Sequence, residues 1–125
     1  FIADCEIGFA GTGAYERARR AADALRMRLR DWQDDDVAID LVGVNSVLRA
    51  GSLLAPPPAE LRVHVSARCK DAEMAQVIED EIYALTLSGP AGGCSVRSER
   101  RNRIEVLDGF IDPALVKTRI HWSQS

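Results

Sequence analysis

Apolar and polar residues alternate from the first positions of the chain. Between Ile2 and Phe9, the residues Ala3, Cys5, Ile7 and Phe9 share one side, and Asp4, Glu6 and Gly8 the other. That is the period of a half-buried strand. Gly11-Thr12-Gly13 breaks it, and from Ala14 the spacing becomes helical: Ala18, Ala21, Ala22, Leu25, Leu29 and Trp32 continue one stripe, opposite Arg17, Arg20, Asp23, Arg26 and Arg30. Glu16 in the first turn and arginines in the last suit the helix dipole. Asp34-Asp35-Asp36 reads as a solvated turn. A second strand is predicted from about Val37 to Asn45. Pro56-Pro57-Pro58 then marks a surface connection, since proline suits neither a central strand nor a helix interior.

Leu61 to Arg68 alternates cleanly, with Leu61, Val63, Val65 and Ala67 toward a core and Arg62, His64, Ser66 and Arg68 away from it. Asp71 is a plausible N-cap for a second helix burying Met74, Val77, Ile78, Ile82 and Leu85. Ser88-Gly89-Pro90-Ala91-Gly92-Gly93-Cys94-Ser95-Val96-Arg97 follows, a glycine-rich run leading into a basic, strand-like segment. The last strand-like pieces are about Arg103 to Phe110 and Val116 to Trp122, separated by an Asp112-Pro113 turn. The order is β-α-β-β-α-β with an extra strand at the end. It predicts an α+β, ferredoxin-like split βαβ sandwich, with two helices on one face of an antiparallel sheet.

The 125 residues suit one domain, 1–125, with a single two-layer core. The first residue is Phe1, already inside a strand pattern, so a fragment of a longer protein is expected. A net charge of −3 argues against a general nucleic-acid binder. Strands one and three also lack the outward aromatics of an RNA-binding sheet. No apolar run is long enough for a membrane span. Cys5, Cys69 and Cys94 are odd in number, without a C-x-x-C spacing and distant in sequence from His64 and His121. Neither a metal site nor a disulfide framework is expected, and reduced thiols are the default. Cys94, beside basic residues in the glycine loop, is either a small loop residue or a thiol of lowered pKa.

The candidate chemistry lies in two places. The sheet face away from the helices should display Asp4 and Glu6 beside Arg62, His64 and Arg68. Cross-strand ion pairing is one reading of this cluster, docking onto another domain or a second copy is another, and a Glu6–His64 acid/base pair is a third. The glycine loop is the second place. Gly89, Gly92 and Gly93 with Arg97 could hold a phosphate or carboxylate. Alternatively Gly89 is a left-handed C-cap with Pro90 stopping the helix behind it. Gly11-Thr12-Gly13 opens a helix after a strand, but Glu16 stands where a dinucleotide fingerprint needs its third glycine, so NAD binding is not expected.

Three stretches carry a resemblance. Asp4-Cys5-Glu6-Ile7-Gly8-Phe9-Ala10-Gly11-Thr12-Gly13-Ala14, Ile39-Asp40-Leu41-Val42-Gly43-Val44-Asn45-Ser46, and Gly89-Pro90-Ala91-Gly92-Gly93 with Val96-Arg97 resemble, in order, the acyclic terpene utilisation (AtuA-like) family. The chain resembles the C-terminal part of that family's large conserved region and departs from it at Cys94-Ser95, where glycines are usual. The resemblance implies a bacterial, cytoplasmic protein of branched terpenoid (citronellol, geraniol) breakdown. It names no catalytic residues and no cofactor. Two functions are expected from it: an anion- or acyl-CoA-binding glycine loop, or a docking and dimerisation domain. The expected partners are a missing N-terminal region of the parent protein and further copies of the chain.

Overall fold

The computed structural model describes residues 1–32, 36–47, 58–90 and 92–122. Its elements are β1 (Ile2–Ala10), α1 (Ala14–Arg28), β2 (Val37–Val42), β3 (Glu60–Arg68), α2 (Ala72–Ser88) and β4 (Cys94–Arg101). The strands form one antiparallel sheet in the order β2-β3-β1-β4. This is the α+β split βαβ arrangement that the element order predicts. The core is a single layer between sheet and helices, formed by Ala3, Cys5, Ile7 and Phe9 of β1, the inward residues of β3, and the helix stripes. Asp34-Asp35, Pro56-Pro57 and Ala91 lie outside the described residues.

Local chemistry explains where each element begins and ends. Gly13 precedes α1 in a left-handed conformation (φ 70°) and offers no side-chain cap. Arg17 takes that place in holding the turn, donating from Nη2 to the carbonyls of Ala10 (2.7 Å) and Thr12 (3.1 Å) and from Nε to Gly13 (3.3 Å). The stripe of alanines is fully buried, which lets α1 sit close on the sheet. β2 is shorter than predicted: Gly43 turns with φ 96°, and Asn45 Oδ1 accepts from Leu41 N at 2.7 Å. Asp71 caps α2 as expected, accepting from Met74 N at 2.8 Å. In α2 the buried residues are Ala75, Ile78, Ile82 and Leu85. Val77, predicted inward, is 42% exposed because it falls one position off that stripe.

Two expectations at the C-terminal end are corrected. Gly89 ends α2 in an extended conformation (φ −89°, ψ −171°), not as a left-handed cap. Glycine is required there by close approach, since a Cβ would come within 2.6 Å of the Leu85 carbonyl oxygen. The fourth strand is the basic segment Cys94–Arg101, and neither Arg103–Phe110 nor Val116–Trp122 forms a strand. Past Arg101 the described chain contains one short 3-10 turn, Pro113–Leu115, whose Asp112 Oδ1 accepts from Ala114 N at 2.9 Å. Every described residue from Arg101 to Trp122 is exposed.

Candidate functional site

Asp4 and Glu6 of β1 meet the outward residues of β3 on the sheet face away from the helices. In register Glu6 stands opposite His64 and Asp4 opposite Ser66. The contacts run diagonally instead. His64 Nε2 lies 3.1 Å from Asp4 Oδ1, and Arg62 Nη1 lies 3.5 Å from Glu6 Oε2. Arg101 of β4 takes the second oxygen of Asp4 at 3.3 Å. His64 therefore pairs with Asp4 and not with Glu6, and Asp4 stands at the centre of the cluster. Arg68 stands opposite Ile2 at the end of β3 and makes no ion pair among the described residues. Half-open pairs of this kind stabilise by about 0.2–1 kcal/mol each and weaken with salt.

Arg97 lies opposite Glu6 on the other side of β1. With Asp4, Glu6, Ser98 and Glu99 it lines an open cleft of about 410 Å³. Arg97 has no ion pair among the described residues, but three carboxylates line the same cleft. Their field works against an incoming phosphate or carboxylate.

The glycines of the candidate loop sit elsewhere. A Cβ on Gly93 would meet Ile7 Cδ1 at 2.7 Å, so this glycine packs on the core side of the sheet. Gly92 has φ 86° and lies against the Arg17 guanidinium. Each glycine thus has a packing or conformational requirement of its own, and Gly93 faces the core side of the sheet whereas Arg97 lines the cleft on its other face. Between them the β1–β4 register shifts, with Ser95 at φ 52°. On the core side of β4, Arg100 grips α2: Nη2 and Nε donate to the two oxygens of Glu79 at 2.8 and 3.2 Å, and Nη2 also donates to Gln76 Oε1 at 2.9 Å.

The thiols divide by burial. Cys5 is fully enclosed, and its pKa is pushed up to about 11, first by burial and then by the charges of Glu79 and Asp4. Burial also raises Cys69, whereas Cys94 is exposed. Among the described residues, no group of three or more His, Cys, Asp or Glu stands close enough to hold a metal ion. No helix there is long and apolar enough to cross a membrane.

The feature that sequence reasoning missed is the exposed arm after β4. Before its turn it presents Ile104, Val106, Leu107, Phe110 and Ile111, and within or after the turn Leu115, Val116, Ile120 and Trp122, each more than half exposed. Alternation in this segment was the available signal, and it pointed to strands inside the domain. The only ion pair within the arm is Arg103 Nη2 to Glu105 Oε1 at 3.2 Å among the described residues.

Fold and surface together define a ferredoxin-like α+β domain with an ion-paired open sheet face and a projecting apolar arm. The family model described as acyclic terpene utilisation family protein AtuA matches residues 1–122, and the chain belongs to that family. No curated protein and no solved structure matches it.

Proposed function

We propose that this chain is a docking module of an acyclic terpene utilisation protein, working through its C-terminal arm. One observation carries the reading: nine large apolar side chains between Ile104 and Trp122 stand in solvent, with none of them in the core. Their combined surface is on the order of 1,000 Å², gathered within one segment of about twenty residues. Burying it at about 25 cal/mol per Å² would give association a large driving force, part of which offsets the lost freedom of the partners. The family match runs through the arm to Trp122, so the arm belongs to the region typical of the family.

The alternative is that Gly89, Gly92, Gly93 and Arg97 bind an acyl-CoA or another anion. The packing demands on each glycine and the carboxylates beside Arg97 favour docking over it. One titration separates the two. Coenzyme A and inorganic phosphate are added to the chain while amide shifts are followed by NMR. The docking reading expects no shifts from Gly89 to Arg97 at millimolar ligand, and loss of association on Phe110→Asp. Saturable shifts centred on that loop, with association untouched by Phe110→Asp, would reverse the choice.

A further inference from the structure

The sheet ends in two edge strands, and the hydrogen bonds treat them differently. Arg68 N donates to Asp36 O at 2.7 Å, which puts Ala38 and Asp40 in the bonded positions with β3 and turns the peptide groups of Ile39 and Leu41 outward. Those outward groups are taken. Ile39 O accepts from Arg26 Nη2 at 3.2 Å, Leu41 N donates to Asn45 Oδ1 at 2.7 Å, and Leu41 O accepts from Val44 N and Asn45 N, each at 3.0 Å. The β2 edge is closed by its own chain.

The β4 edge is open. Cys69 N donates to Phe1 O at 2.8 Å, which assigns the odd-numbered residues of β1 to β3 and the even-numbered ones to β4. Asp4 and Glu6 therefore bond Glu99 and Arg97, and Ser98 and Arg100 turn their N–H and C=O outward. Among the described residues no hydrogen bond reaches those peptide groups. The chain's own arm does not cover them, since no described residue from Asn102 to Trp122 joins the sheet.

The side chains of this edge complement themselves. Arg97 has no ion pair among the described residues, and the exposed Glu99 has Arg101 at 3.5 Å. A two-fold axis at Ser98 sets Arg97 opposite Glu99 of a second copy, and Glu99 opposite its Arg97, in the close, non-hydrogen-bonded positions. Ser98 then meets Ser98 with its outward peptide groups face to face. Each incoming glutamate arrives with its own Arg97 two residues away, which offsets the carboxylates that repel a free anion from this cleft. An axis at Arg97 opposes that arginine to itself. One at Glu99 opposes glutamate to glutamate and Arg97 to Arg101. Axes at Val96 or Arg100 leave Arg97 without a carboxylate opposite, and an axis between residues sets outward groups against inward ones.

We infer that β4 pairs antiparallel with β4 of a second copy about a two-fold axis at Ser98, joining two four-stranded sheets into one. The interface is isologous, the same surface used twice. The inference rests on the docking reading and names its partner, because so short a ladder buries less than the roughly 800 Å² per partner of a standard interface. The arm supplies the rest. Past Arg101 each arm runs beside Cys94 of the second copy, toward the end of its α2. There the exposed Tyr83 and Leu87 lie about one and two turns beyond the Glu79 that Arg100 grips.

The test follows the whole chain, under reducing conditions, by sedimentation and hydrogen exchange. Arg97→Glu and Glu99→Arg are prepared separately and then mixed in equal amounts. Alone, either variant sets like charges across the axis. Mixed, one copy carries two acids and the other two arginines, so opposite charges meet again. The expected result is a dimeric parent with slowed exchange at Ser98 and Arg100, two monomeric variants at the same concentration, and a dimeric mixture. Variants that stay monomeric on mixing overturn the register. A dimer that neither substitution weakens and Phe110→Asp dissolves overturns the β4 pairing and leaves docking standing. A dimer that obeys the charge exchange and ignores Phe110→Asp overturns the docking reading instead. A monomeric parent overturns the second copy as occupant. If its Ser98 and Arg100 amides are nevertheless protected, its own arm covers the edge and the docking reading falls too.

Discussion

A methyl group added at Gly93 would press on Ile7 Cδ1, and Ile7 is fully buried with no room to retreat. One at Gly89 would strike the backbone of Leu85, which is harder still to move. Gly93→Ala and Gly89→Ala are each expected to cost about 1–3 kcal/mol in urea unfolding, the range for an overpacked core. Gly109→Ala, with nothing within 4 Å of the added atom, should lie within about 0.5 kcal/mol of the parent. Equal costs at all three sites would remove the packing account of the loop. These demands were not legible in the sequence, where glycine-glycine reads equally as a ligand cradle or a tight connection. Which side chain lies under each glycine is set by contacts far apart in the chain. The Cys5 thiol gives a second residue-scale outcome. The unfolded chain releases that proton near the ordinary value of 9.0, whereas the folded chain holds it to about 11. Between those values the folded state binds more protons, so this thiol makes stability fall as pH rises from about 9 to about 11. Cys5→Ala should flatten that part of the slope when urea midpoints below pH 9 are compared with those near its upper end. An unchanged slope would mean the thiol titrates as an exposed one.

At the scale of elements, legibility followed the strength of the apolar signal. β1, β3 and both helices announce themselves because each buries a regular set of apolar residues, and Asp71 gives a start signal with a mechanism. β4 does not. Its sequence, Cys94–Arg101, offers only Val96 to the core, and Arg100 on that side is occupied by Glu79. A charged strand at a sheet edge resists pairing with stray chains, but the same charges hide it from a search for apolar alternation. The stronger alternation just downstream drew the strand assignment to residues 103–110, which have no ladder partner among the described residues. The diagonal pairing of Asp4 with His64 was equally out of reach, because register names the opposite residue and not the rotamer that makes the contact. Two variants weigh these attachments. Asp71→Ala should cost about 1 kcal/mol through the lost cap. Arg100→Ala and Glu79→Ala should be non-additive, with a coupling of about 0.5–3 kcal/mol in a double-mutant cycle. Strict additivity would mean that the bidentate contact does not tie β4 to α2.

Taken as a whole, the molecule is a domain whose core is complete by Arg101, followed by an arm that contributes nothing to that core. Among the described residues, the twenty buried apolar side chains all lie between Ala3 and Leu85. The stability of the domain and the association of the arm are therefore separable quantities. Ile104→Asp with Phe110→Asp should leave the unfolding midpoint within about 0.5 kcal/mol of the parent at concentrations too low for association. Ile78→Ala, which opens a cavity under α2, should cost about 2–5 kcal/mol at any concentration. Association, followed by sedimentation as concentration is raised, should be lost in the arm variant and kept by Ile78→Ala, since the arm lies outside the core that Ile78 supports. If the arm substitutions instead lower the dilute midpoint as Ile78→Ala does, the arm is part of the domain's own core, and its apolar surface needs no second chain to cover it.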